Sequence, residues 1–251
     1  MNLEELRRKW ESEEAHAFKG WDFSYIKDRW NSEDLPWDYS MIVLSFLKNK
    51  DKLLDMGTGG GEFVLTLKHP YALTYVTEAY PPNVKLCKEK LEPLGITVKQ
   101  VYEDYKLPLK DKSFDIVINR HESFDYCEVN RILKKGGYFI TQQVGGKNNY
   151  DLSCSLIDNF KPQFPNHTLE NNVDNLVKHG FKILKSDEAF TPIYFYDVGA
   201  LVYFAKIIQW EFPGFSVDTC FDNLRRLQKI IDVKKVIQGT EHRFLIVAQK
   251  I

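Results

Sequence analysis

Short apolar runs bounded by polar turns recur through the middle of this chain and alternate with stretches of helical periodicity. The runs at 51–56, 72–77, 96–101, 114–119 and 137–144 are rich in branched and aromatic residues and too short for typical helices, so each predicts a strand. Helical patterns begin near 60 and near 82 and occupy about 124–133. Parallel neighbours need a crossover long enough to hold a helix, so this alternation predicts a doubly wound, mostly parallel sheet with helices on both faces. Residues 166–179 predict a further helix stopped by Gly180, Phe181 to Leu184 opens another strand, and 243–248 predicts the last one. Ahead of the first strand, Leu3, Leu6 and Trp10 share a helix face and Pro36 introduces an apolar stretch from Met41 to Leu47, so 1–48 is expected to be a helical cover. The pattern is interrupted at 191–239, where the aromatic-rich run Asp197 to Trp210, Pro213-Gly214-Phe215 and a helix around 217–231 predict a helical, aromatic insertion.

The first strand runs into Asp55-Met56-Gly57-Thr58-Gly59-Gly60-Gly61-Glu62-Phe63 and then a helix. Glycines 57, 59 and 61 let the backbone turn sharply and lie against a ligand. The third glycine of the dinucleotide fingerprint falls at Glu62, where a carboxylate would repel a pyrophosphate at the helix N-terminus. Asp-x-Gly-x-Gly-x-Gly after an apolar strand instead resembles motif I of the class I S-adenosylmethionine-dependent methyltransferases. Glu78, closing the next strand ahead of Pro81-Pro82, is similar to the acidic residue that hydrogen-bonds the ribose hydroxyls in folds of this type. Glu103 and Asp104, before Leu107-Pro108, resemble the family's adenine-facing acid, with the choice between them open. Ser113-Phe114-Asp115 and Arg131 to Gly137 continue the likeness, so that it covers roughly residues 50 to 145. Gly136-Gly137 is the expected helix stop there.

The resemblance implies a Rossmann-like α/β fold whose last strand is antiparallel. It implies a single methyltransferase domain over 1–251, with a core formed by 50–190 and 240–251. It also implies S-adenosylmethionine as cofactor, held by Asp55, Gly57, Thr58, Gly59, Gly61, Glu78, Glu103 or Asp104, and Asn119. No metal is implied.

A formal net charge of −1 excludes a global basic field of the kind that recruits nucleic acid. Cys87, Cys127, Cys154 and Cys220 form no Cys-x-x-Cys pair, so neither a zinc ribbon nor a disulfide framework is indicated. The charged N-terminal stretch and the lack of any apolar run near 18 residues make a cytoplasmic protein without membrane spans the expectation.

Methyl transfer from a sulfonium is mainly a matter of positioning, which can supply roughly 7 to 11 kcal/mol, so a base is needed only where the acceptor must lose a proton. The candidates follow the fourth strand, at the sheet's carboxyl end: His121 as general base, with Glu122 second. Arg120, Trp37, Tyr39 and Gln143 are candidates for acceptor binding, the aromatics because their faces attract a cation. No Asn-Pro-Pro-Tyr tetrapeptide follows that strand, which argues against the adenine- and glutamine-amino methyltransferases. The leading expectation is a small-molecule acceptor. RNA methylation is the alternative, through a distant likeness to ribosomal-RNA guanine methyltransferases and the basic residues Arg225, Arg226, Lys229, Lys234 and Lys235. A third reading is a non-catalytic cofactor-binding protein. Oligomeric state is not encoded in any of these features.

Overall fold

The structure, a computed structural model, describes residues 2–18 and 22–251. Parts of the predicted N-terminal cover, Met1 and residues 19–21, lie outside the described residues. In chain order the elements are α1 (Leu3–Ala15), β1 (Trp30–Ser32), α2 (Tyr39–Phe46), β2 (Leu53–Met56), α3 (Glu62–Thr66), β3 (Thr74–Glu78), α4 (Pro81–Leu91), β4 (Thr97–Gln100) and β5 (Phe114–Arg120). They continue with α5 (Tyr126–Ile132), β6 (Leu133–Val144), α6 (Tyr150–Leu156), α7 (Leu169–Lys178), β7 (Phe181–Phe195), α8 (Val198–Ile207), α9 (Phe221–Lys234) and β8 (Ile237–Lys250).

Among the described residues the strands form one mixed sheet in the order β1-β7-β8-β6-β5-β2-β3-β4. β2 to β6 run parallel, while β8 is antiparallel to β6 and β1 to β7. The expected Rossmann-like sheet with an antiparallel last strand is therefore present. β1 is an added antiparallel edge that the hydrophobic pattern did not predict, because three residues, Trp30-Asn31-Ser32, carry too little periodicity. Among the described residues no helix is long and apolar enough to cross a membrane.

Two compact units are distinguishable. One comprises residues 36–145, 167–188 and 243–251. Its strands send successive side chains to opposite faces, as the period of two requires. Leu53, Ile116, Ile118, Ile140, Leu245 and Val247 pack with Val43 of α2, Val64 of α3 and Leu91 of α4. Their sequence neighbours Leu54, Val117, Phe139, Phe244 and Ile246 pack with Val129 and Ile132 of α5 and Leu176 of α7. Near-continuous apolar strands are what a sheet buried on both faces needs.

Helix boundaries follow local chemistry. Asp38 and Asp125 cap α2 and α5 by accepting the amides of Met41 and Glu128. Gly136 does not stop α5 as expected. The helix ends at Ile132, where Leu133 turns extended to pair with Phe114, and Gly136, at φ +79°, instead serves a turn inside β6. A side chain at Gly137 would meet the Asp115 carbonyl at 2.9 Å.

The other unit comprises residues 1–35, 146–166 and 189–242. Its core joins Leu6 and Trp10 of α1, Leu152 and Leu156 of α6 and Leu224 of α9 to α8, nearly all of whose residues are buried. The predicted helix at 217–231 is α9, shifted towards the C-terminus because Pro213-Gly214 and the Ser216–Thr219 hydrogen-bonded turn occupy its expected start. The strand expected at 181–184 continues to Phe195, and the last strand begins at Ile237 rather than 243.

Candidate functional site

The cofactor, catalytic and acceptor-binding candidates fall within the first unit, mainly at the carboxyl ends of its parallel strands, whereas the basic residues of α9 belong to the other. The turn after β2 takes left-handed backbone at Gly57, Gly59 and Gly61, with φ of +66°, +62° and +82°. Their missing side chains serve different ends. A Cβ on Gly57 would lie 2.4 Å from Cγ of Glu122, and one on Gly61 would lie 2.7 Å from Leu91, whereas the space beyond Gly59 is open for 4 Å.

Glu78, at the end of β3, ties the turn to its neighbour. Its Oε2 accepts the Gly59 amide at 2.8 Å and its Oε1 accepts the amides of Ala79 and Tyr80 at 2.9 Å each. Below it, the buried Asp55 carboxylate accepts the Thr58 hydroxyl at 2.7 Å. Burial pushes Asp55 up to about 7, with the Thr58 bond and Arg120 working against the shift and Glu78 adding to it. From α4, the Cys87 thiol donates to the Gly59 carbonyl at 3.0 Å, and burial pushes that thiol up to about 11.

A shallow, open cleft lies here, lined among others by Met56, Gly57, Glu78, Asp104, Glu122 and Ser123. Asp104 accepts the Ser123 hydroxyl at 2.6 Å, whereas Glu103 is exposed and does not line the cleft. Of the two acids left open by the sequence, Asp104 is the one that lines the cleft. Burial, and then the charges of Glu78 and Asp104, raise Glu122 to about 7.

His121 and Asn119 sit in two hydrogen-bonded chains. Tyr39 is buried beneath the sheet end, where its hydroxyl donates to the carbonyls of Asn119 and Ile140 at 3.0 and 3.1 Å and accepts the Asn119 amide at 3.2 Å. Expected as an acceptor contact, it is a strap between β5 and β6. Gln143 is also buried: its Nε2 donates to the Glu122 carbonyl at 3.1 Å and to Asn119 Oδ1 at 2.6 Å. The carbonyl can only accept, so the amide orientations are fixed, and Asn119 Nδ2 is left as a buried donor without a partner among the described residues.

In the second chain, the Trp37 indole donates to Gln142 Oε1 at 2.8 Å, and Gln142 Nε2 lies 3.0 Å from Nε2 of His121. That ring nitrogen must therefore accept, and its lone pair is already engaged. Desolvation by the surrounding protein, with the charges of Arg243 and Arg120, holds the imidazole well below the usual histidine range. Both features run against the expectation of His121 as a general base, which needs a free lone pair and a pKa near the working pH. Gln142 is not among the residues singled out from the sequence. The available signal was two adjacent glutamines inside an otherwise apolar strand, where a buried amide must find partners.

Arg120 is exposed, with its guanidinium 4.5 Å from the centre of the Phe63 ring. The basic residues of α9 are partly engaged locally: Arg225 pairs with Asp222 at 3.0 Å, Arg226 donates to Asn223, and Lys235 donates to the Asp232 carbonyl. Among the described residues no group of three or more histidines, cysteines, aspartates or glutamates is arranged to hold a metal ion.

The fold and the glycine turn define a Rossmann-like protein with a cleft at the carboxyl ends of its parallel strands. Residues 54–141 match the family model described as a methyltransferase domain. Over 117 residues the chain is 30% identical to a demethylmenaquinone methyltransferase of Thermus thermophilus, covering 43% of this chain and 53% of that one. An S-adenosylmethionine-dependent methyltransferase of Mesorhizobium loti superposes with a TM-score of 0.51 at 14% identity, covering 85% of this chain and 98% of that one. A functionally unknown protein from Deinococcus radiodurans superposes with a TM-score of 0.60 at 12% identity over 99% and 98% of the two chains. The match over residues 54–141 supports a class I S-adenosylmethionine-dependent methyltransferase family, and the solved structures share its Rossmann-like fold. It spans about half the length or less of the curated relatives it matches.

Proposed function

We propose that this chain transfers a methyl group from S-adenosylmethionine to a small-molecule acceptor. The observation that carries the reading is the junction of Glu78 with the Gly59 amide beside a cleft lined by three carboxylates. Such a cleft suits a ligand bearing hydroxyl and amino groups and disfavours phosphates. Glu62 reinforces this, since its carboxylate opens α3 and is paired with Lys90 at 2.7 Å, where a dinucleotide would need to place its pyrophosphate. Open space over Gly59 leaves room for a ligand.

S-adenosylmethionine, when bound, supplies a methyl group already activated on a sulfonium. Glu78 would take the ribose hydroxyls with its remaining lone-pair capacity, Asp104 the adenine amino group, and the turn 57–61 the amino-acid end. Asp55 and Thr58 would hold that turn from below. Where the acceptor must lose a proton, Glu122 is the base this reading assigns, because it lines the cleft and titrates near neutrality.

Calorimetric titration with S-adenosylmethionine, S-adenosylhomocysteine and NAD in parallel tests the reading. Micromolar binding of the first two and none of NAD is expected; binding of NAD alone, or of nothing, overturns it. Conversion of the cofactor to S-adenosylhomocysteine with an acceptor from a metabolite extract separates an enzyme from a non-catalytic binding protein.

A further inference from the structure

The chain from Trp37 to His121 fixes where the imidazole carries its proton. An indole nitrogen can only donate, so Gln142 presents its oxygen to Trp37 and its NH₂ to the ring. Nε2 of His121 accepts, and the neutral ring holds its proton on Nδ1. Among the described residues Nδ1 has no hydrogen-bond partner, and the residue reaches solvent. The backbone is built to keep it there: His121 takes φ +65°, and its amide donates to the Gln142 carbonyl at 2.8 Å. Left-handed backbone at a residue with a side chain is a strain that the surroundings must hold. It falls at the carboxyl end of β5, the edge at which open α/β sheets bind ligands.

The adjacent Arg120 makes no ion pair among the described residues; its guanidinium rests on the Phe63 ring and is exposed. Arg243 adds positive charge around the same imidazole. The cleft-lining residues include three carboxylates, whereas this neighbouring group consists of donors and cations. Arginine's planar fork matches a carboxylate, and a neutral N–H donor beside it supplies direction without adding charge.

We propose that Arg120 and the Nδ1–H of His121 anchor a carboxylate carried by the methyl acceptor, with Trp37 and Gln142 as positioning residues that hold the imidazole in that tautomer. What is anchored rests on the methyltransferase reading; the tautomer does not.

Two-bond ¹H–¹⁵N correlation spectra of histidine-labelled protein read the tautomer directly. His121 is expected as neutral Nδ1–H at pH 7 and at pH 6. Gln142→Glu replaces the donor with a carboxylate that accepts from both Trp37 and the ring, so the proton should move to Nε2 and the imidazole should titrate at higher pH. A wild-type Nε2–H form, an imidazolium at pH 6, or no change in Gln142→Glu overturns the assignment. Benzoate, with neutral benzamide as control, is then titrated with and without saturating S-adenosylhomocysteine. Benzoate is expected to shift the His121 resonances and benzamide to leave them, and Arg120→Gln should weaken benzoate binding about 10- to 100-fold. Equal binding of the two probes, or unaltered benzoate binding by Arg120→Gln, overturns the anchor. Absence of S-adenosylhomocysteine binding in calorimetry counts against the cofactor reading instead, and the tautomer result stands apart from it.

Discussion

Two groups of ionisable residues removed from bulk water show how differently this chain uses charge. In the unit built on 1–35, 146–166 and 189–242, Arg29 lies between Glu13 and Asp197 with four nitrogen–oxygen contacts of 2.7 to 3.2 Å. Although burial alone would raise Asp197, its bonds from Arg29 and the Ala200 amide hold it below the usual carboxylate range. In the other unit, Asp55 and Glu122 have no ion pair among the described residues, and burial raises both to about 7. Matched charges stay ionised and fix architecture, whereas burial pushes the unmatched carboxylates towards neutral pH.

Glu122→Gln tests the unmatched side with the largest expected effect. For an acceptor that must be deprotonated, kcat/KM in the wild type should rise with pH up to about 7 and then level. The variant should lose about 10²- to 10⁴-fold and the pH dependence with it. Stability carries a matching signature. Glu122 has a folded pKa above its unfolded value, so the native state binds extra protons between about 4.5 and 7 and loses stability as pH rises through that window. Urea midpoints measured against pH should be flatter in Glu122→Gln; an unchanged slope removes the shifted carboxyl from the account.

Arg29→Ala tests the matched side. Leaving Glu13 and Asp197 without their cation should lower stability by about 2 to 3 kcal/mol, less than a fully buried pair would lose because roughly a quarter of the Arg29 side chain is exposed. Chemical denaturation measures this, and a loss below about 1 kcal/mol would show the cluster to be a surface ornament.

Glu78→Ala should weaken S-adenosylmethionine about 10- to 150-fold in calorimetry, through lost charge-assisted hydrogen bonds of about 1.5 to 3 kcal/mol. Unchanged affinity sinks its assignment. The smallest effect is expected from Cys87→Ala, which frees the Gly59 carbonyl of its thiol: a loss of about fivefold in cofactor affinity, near 1 kcal/mol. A Cys87→Ser variant, which keeps a donor, should recover most of it.

The same contrast explains what was legible in the sequence. The turn 55–63, Glu78 and the 103–104 acids are local signals, each written in a few consecutive residues at a strand end. The strap formed by Tyr39 and the chain from Trp37 through Gln142 depend on contacts 80 to 105 residues apart, which no periodicity records. The state of His121 depends on a contact of the same kind: its residue type suggests a base, while its Gln142 partner engages the lone pair a base would use. The unit containing Arg29 was legible least, because three separated segments compose it and its ion cluster joins positions 13, 29 and 197.

The position of β8 in the sheet has a consequence for synthesis. It is the latest strand in chain order, yet it lies between β7 and β6. While the chain is emerging from the ribosome, β6 has a parallel partner on one side only, and the stretch from Phe139 to Val144 presents bare backbone donors and acceptors along the other. An unpaired edge of that kind templates pairing between chains. Nascent chains halted before Arg243 should therefore need chaperone protection that chains extended through β8 do not, and truncations removing 243–250 should accumulate as aggregates rather than as a smaller soluble sheet.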